Sequence, residues 1–160
     1  MVTYPADDRR HILQNPGQGQ RFDVGGMVIT IKAAASAPTG AFTLFEIALP
    51  PHQSGPAAHF HQRTTEWFYI LSGTLAFTLD DETVLARPGS SVLVTPGVIH
   101  TVWNPAATPA SLLGFRTRAD FAEYLAALEK LMTNKPAADL ARLIALATQY
   151  DQYPGTADCG

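Results

Sequence analysis

Between residues 20 and 116, apolar and polar side chains alternate in short stretches, and turn-forming residues separate one stretch from the next. Side chains of a strand repeat every two residues on one face, so this alternation specifies half-buried strands rather than helices. Phe22, Val24, Val28, Ile29 and Ile31 bracket Gly25-Gly26, which reads as a β-hairpin over 20–33 with a tight glycine turn. Phe42 to Leu49 puts Thr43, Phe45, Ile47 and Leu49 on one face, and Pro50-Pro51 ends it. Further strands are expected at about 57–62, 66–71, 74–79, 82–86, 90–95, 98–103 and 110–116. Leu71-Ser72-Gly73-Thr74 and Leu79-Asp80-Asp81-Glu82 read as hairpin turns between them. The run Trp67-Phe68-Tyr69-Ile70-Leu71 is continuously apolar and reads as a strand buried on both faces. An all-β fold follows, an antiparallel sandwich or barrel.

Three of the five histidines, His59, His61 and His100, and the isolated Glu66 lie at the ends of these expected strands. His59 and His61, two residues apart, point the same way. Three imidazoles and a carboxylate on neighbouring strands can converge on one first-row metal ion and leave one or two positions open, the mark of a catalytic metal site. A lone H-x-H pair more often marks hydrogen-bonded core histidines. The carboxylate argues for the metal: at the mouth of an apolar strand Glu66 is costly unless paired or metal-bound, and Arg63 is its one local cation.

At these residues the chain resembles the cupin superfamily, whose first motif is written G-x5-H-x-H-x3-4-E-x6-G and whose second is G-x5-P-x-G-x2-H-x3-N. The stretch His59 to Gly73 matches the first, and Gly89, Gly97, His100 and Asn104 match the second at the expected spacings. Residues 74–88 match the short linker between motifs in small cupins. Gln53 stands where the leading glycine belongs and Thr95 where the proline belongs, each with the expected residue close by at Gly55 or Pro96. The resemblance is specific over 53–104. It implies a cupin-type antiparallel jelly-roll barrel, with His59, His61, Glu66 and His100 as ligands of one divalent metal (Fe, Ni, Mn, Co or Zn). Among small cupins the likeness points to quercetinase-like proteins. A dioxygenase acting on a small aromatic or enolisable substrate is the expected activity, with Glu66 as ligand or general base. A non-redox cyclase or isomerase, and a metal-containing binding protein, are the rival readings. Phe68 and Ile70, on the face of Glu66, with Phe77, Val102 and Phe115, are the expected apolar lining of the substrate pocket.

The remaining 119–148 changes character. Asp120 and Glu123 have capping-box spacing before a stripe of Phe121, Tyr124, Leu125, Leu128, Leu131 and Met132. A second helix carries Leu140, Leu143, Ile144 and Ala147, with Asn134 as expected N-cap and Pro136 in its first turn. Residues 1–20 read as an irregular arm and 154–160 as a loose tail, so 1–160 is expected to be one cupin domain with a helical extension. Arg116 and Arg118, after the last strand, have the chemistry to bind an anionic substrate, but the favoured reading is solvated charges at a strand-to-helix corner. The net charge of −3 and the lack of a basic stripe argue against a nucleic-acid partner. No apolar run reaches a membrane span or a signal peptide, and Cys159 is the single cysteine, so a cytoplasmic protein is expected. Sheet edges and apolar helix stripes, together with the family resemblance, predict a homodimer.

Overall fold

The computed structural model describes residues 13–36, 40–133 and 139–155. Eleven strands and two helices are formed among them: β1 (Gln20–Val24), β2 (Met27–Ala35), β3 (Phe42–Leu49), β4 (His59–Phe60), β5 (Glu66–Ser72), β6 (Leu75–Leu79), β7 (Glu82–Ala86), β8 (Ser91–Val94), β9 (His100–Trp103), β10 (Ala110–Arg116), α1 (Phe121–Thr133), α2 (Leu140–Gln149) and β11 (Tyr153–Pro154). They make two antiparallel sheets, ordered β1-β2-β3-β10-β5-β8 and β11-β4-β9-β6-β7. The inner faces supply the core: Ile31, Phe45, Leu49, Ile70, Leu75, Phe77 and Leu112 are almost wholly buried. This is the expected jelly-roll arrangement, in which alternate residues of each strand meet across the two sheets.

Several local expectations hold in detail. Val24 pairs with Met27 across Gly25-Gly26, both glycines at positive φ, as a two-residue hairpin turn requires. Thr43, Phe45, Ile47 and Leu49 are buried as one face of β3. Leu79 pairs with Glu82, with Asp80 left-handed at φ 53°.

Four expectations need correcting. β5 is buried on one face only: Phe68 and Ile70 point inward, while Trp67, Tyr69 and Leu71 are exposed. Its continuous hydrophobicity therefore belongs to an apolar outer sheet surface. Ser72-Gly73 is no hairpin turn, because β5 and β6 lie in different sheets and the chain crosses between them there. Residues 153–155 are not loose: Tyr153 pairs with Phe60, Pro154 with His59, and the Gly155 amide donates to the Ala58 carbonyl at 2.9 Å. α2 is capped by Asp139, whose carboxylate accepts from the Ala141 amide; Asn134 and Pro136 lie outside the described residues.

α1 lies across β1 and feeds Phe121, Ala122, Tyr124 and Leu125 into the barrel core. The Phe121 ring meets Phe45 with centroids 4.8 Å apart. The Asp120 carboxylate is taken by the Arg118 guanidinium rather than serving the expected capping box. α2, in contrast, has no buried residue.

Candidate metal centre

Strand pairing within one sheet and the packing of the two sheets together bring the expected ligands to one place. His59 of β4 stands opposite His100 of β9, and Glu66, the first residue of β5, stands opposite Arg116, the last of β10. His61 follows β4 and faces the same way as His59. All four expected ligands are buried, and one potential ligand atom from each lies within 4.8 Å of the others. Bonds of about 2.1 Å place adjacent ligands ~3 Å and opposite ligands ~4.2 Å apart around one ion, so the spread suits a single metal.

The hydrogen bonds decide how the rings present themselves. His59 Nδ1 donates to the Ala57 carbonyl at 2.9 Å, His100 Nδ1 to the Val98 carbonyl at 3.0 Å and His61 Nδ1 to the Asp151 carbonyl at 2.6 Å. A carbonyl can only accept, so each Nδ1 carries the proton and each neutral ring keeps its lone pair on Nε2. His61 and His100 aim Nε2 at the same carboxylate oxygen, Glu66 Oε2, at 3.3 and 3.2 Å. Two lone pairs pointed at a carboxylate repel unless a cation sits between them, or a further proton makes a ring imidazolium. His61 Nε2 is buried with no hydrogen-bond partner. Burial, reinforced by the neighbouring His100, pushes His59 down to about 3, which keeps that ring neutral. Burial alone would raise Glu66; in the metal-free alternative, where the facing His100 and His61 carry the further proton and donate to it, those hydrogen bonds and the Arg116 charge hold it well below the usual carboxylate range. Imidazoles pinned through Nδ1 to backbone carbonyls, a buried carboxylate and an orphaned buried Nε2 together fit a divalent first-row metal ion.

Two residues of the site were not expected. Arg116, read from the sequence as solvated, is 2% exposed: Nη1 lies 3.6 Å from Glu66 Oε1, and the guanidinium sits 4.5 Å over the Phe121 ring. It takes the place expected of Arg63, which is exposed. The signal was its phase in β10, where Ala110, Leu112 and Gly114 precede it on the inward face. Asp151 is the second. Held left-handed at φ 64°, it offers its carbonyl to His61 while its carboxylate accepts from the Gln62 and Arg63 amides and from Thr64 Oγ1. Burial would raise its pKa, but these donors hold it below the ordinary value. The chain end after α2 thereby orients one expected ligand and clamps the loop carrying the ligand strand into β5. No spacing rule in the sequence points to it.

Above the cluster lies a mostly apolar cavity of about 90 Å³, bounded by His59, Glu66, His100 and Arg116 on one side and by Met27, Ile47, Phe68, Val102, Phe121, Tyr124 and Leu125 on the others. Phe68 and Val102 line it as expected. Ile70 and Phe77 are fully buried in the core behind it, and Phe115 points to the opposite surface, where it stacks on Phe42. The cavity continues into a groove of about 580 Å³ between the loop 53–58 and the apolar sides of α1 and α2.

Fold and cluster together define a double-sheet barrel with a buried group of three histidines and a glutamate that could hold one metal ion. Residues 45–115, somewhat under half of the chain, match the family described as the cupin domain. Quercetin 2,3-dioxygenase of Bacillus subtilis is 33% identical over 101 residues, covering 62% of this chain and 29% of that protein. Mannose-1-phosphate guanylyltransferase RfbM of Salmonella typhimurium is 31% identical over 67 residues, covering 42% of this chain and 14% of that protein. This chain thus spans well under a third of either curated relative. Among solved structures, an RmlC-like cupin from Shewanella frigidimarina superposes with a TM-score of 0.59 at 20% identity, over 69% of this chain and 96% of that one; this likeness concerns the fold. No helix among the described residues is long and apolar enough to cross a membrane.

Proposed function

We propose that the protein is a metal-dependent enzyme, a dioxygenase acting on a small aromatic or enolisable substrate, with one divalent ion held by His59, His61, Glu66 and His100. The observation that carries this reading is the convergence of three Nε2 lone pairs and one carboxylate at the floor of an apolar cavity. When bound, the ion would supply a site for oxygen and substrate together and Lewis-acid stabilisation of an enolate. The chain's own part is to orient and to exclude water. The backbone carbonyls of Ala57, Val98 and Asp151 fix the three rings, and Phe68, Val102 and Phe121 exclude water around the substrate. Arg116 beside Oε1 makes Glu66 a weaker base and favours its role as a fixed ligand. The similarity to a quercetin dioxygenase over 101 residues supports the redox reading.

The test is oxygen consumption by protein loaded in turn with iron, nickel, manganese or cobalt, on flavonols, β-diketones and catechols. Turnover with any of these pairs supports the dioxygenase. A zinc form that rearranges such substrates while no loaded form takes up oxygen replaces it with a redox-neutral cyclase or isomerase. Glu66→Gln separates ligand from base: a base variant keeps its metal and loses about 10²–10⁴-fold in turnover, whereas a ligand variant loses both.

The homodimer and the cytoplasmic setting belong to the same proposal. The surface that supports pairing is the outer face of the six-stranded sheet, where exposed Trp67 and Leu93 stand opposite each other, with Tyr69 and Leu71 alongside. A sedimentation profile showing monomer at micromolar concentration would remove the dimer.

A further inference from the structure

We propose that the molecule bound in this cavity is an amphiphilic organic anion whose acid group pairs with Arg116 and whose apolar body runs out along the groove beneath α2. The inference rests on the metal-centre reading above and narrows its substrate class.

The first observation is a charge imbalance. Arg116 is 2% exposed, lines the cavity, and has a buried Nε without a hydrogen-bond partner among the described residues. Among the described residues, its one carboxylate neighbour in an ion pair is Glu66, at 3.6 Å, longer than a good charge-assisted hydrogen bond. Glu66 is also the single acid of the metal cluster. A divalent ion claims the same carboxylate, so guanidinium and ion together leave the cavity with excess positive charge. Asp120, the next acid toward this corner, is taken by Arg118. Uncompensated charge in an apolar enclosure is costly, and an arriving carboxylate or enolate cancels it. The planar guanidinium, braced on the Phe121 ring, presents donors in the fork that matches a carboxylate.

The second observation is shape. A cavity of about 90 Å³ admits the head of a molecule and little more. The groove of about 580 Å³ shares Met27, His59, Tyr124 and Gln152 with it and is walled by apolar Leu143 and Ile144. A charged head inside and an apolar body outside satisfy both spaces at once.

Calorimetric titration of the zinc-loaded protein with 4-phenylbutyrate, 4-phenylbutanamide and acetate tests this. The carboxylate should bind roughly tenfold or more tighter than its amide, as a charge-assisted contact demands, and tighter than acetate, which lacks the body. Arg116→Gln should erase the preference over the amide, with both affinities compared per zinc bound. Equal binding of phenylbutyrate and its amide by the wild type overturns the proposal, and so does a variant that weakens zinc and both probes alike, since Arg116 would then only position Glu66. If Arg116→Gln does not fold, Arg116→Lys and the wild-type probe pair decide: the charge without the fork should keep the sign of the preference and reduce its size. Zinc titration read in parallel separates the two readings. Protein that takes up no zinc yet prefers the carboxylate refutes the metal centre and keeps the anion site.

Discussion

The metal cluster and the groove beneath α2 share a wall, yet they are held in opposite ways. Each histidine of the cluster is buried and pinned through Nδ1 to a backbone carbonyl, and Glu66 lies between two rings and a guanidinium. The groove is roofed by a helix with no buried residue, on which Leu140 is 69% exposed and Ile144 37%. Strand ends inside a closed double sheet fix ligand positions to fractions of an ångström. A helix resting on few contacts can shift at low cost. The cluster geometry is thus set by the sheets, and the shape of the groove by the helix.

Mutations can break this division or sharpen it. The largest effect is expected at the cluster: His61→Ala should remove most of the bound metal, read by elemental analysis, and lower the melting temperature of metal-loaded protein. Unchanged metal content would end the metal reading. Next comes the clamp that joins the two regions. Asp151→Ala strips the Gln62 and Arg63 amides and Thr64 Oγ1 of their acceptor. It should cost about 1–3 kcal/mol in denaturant unfolding; because the backbone carbonyl that holds His61 remains, metal affinity should fall by less than the ~10–100-fold for removing an orienting group itself. An effect on stability with metal affinity unchanged would mean that the clamp serves the loop alone.

A smaller effect separates two motif glycines. Gly73 has φ 71°, and a Cβ there would lie 2.6 Å from the Ala110 Cβ and 2.7 Å from the Pro109 carbonyl oxygen. Gly97 has φ 92° with nothing within 4 Å. Valine should destabilise at both by roughly 1–3 kcal/mol, with Gly73 at the upper end because sterics add to backbone strain. Equal losses in a melting comparison would show that the crossover at Gly73 gives way. The smallest effect belongs to the roof. Ile144→Ser should change stability by less than about 0.5–1 kcal/mol, yet weaken phenylbutyrate more than acetate. A large loss of stability would show α2 to be structural cover rather than an adaptable wall.

β10 shows where reading the sequence stops. Expecting Phe115 in the pocket and Arg116 in solvent is one error, a strand phase set wrong by a single residue. Both phases of 110–116 contain apolar side chains, so hydropathy does not choose between them. The choice is made by β3 and β5 on either side. Glycine is needed at inward-facing 114 because a Cβ there would come within 2.3 Å of the Phe45 ring, and Arg116 stands opposite Glu66. The same limit explains β5, whose apolar outer face looks like a second buried face when pairing and sheet edges are unknown.

By itself, the sequence determined most of the strands, the Gly25-Gly26 and Asp80-Asp81 turns and the four residues of the cluster. Each depends on periods and backbone preferences acting over a few neighbours, and the two ligand motifs keep their chemistry within short segments. Tertiary structure alone decided that Arg116 balances Glu66, that Asp151 reaches back 90 positions to orient His61, and that α2 roofs a groove. These contacts join segments far apart in the chain, and a buried charge or a carbonyl acceptor finds its partner only once the sheets have closed.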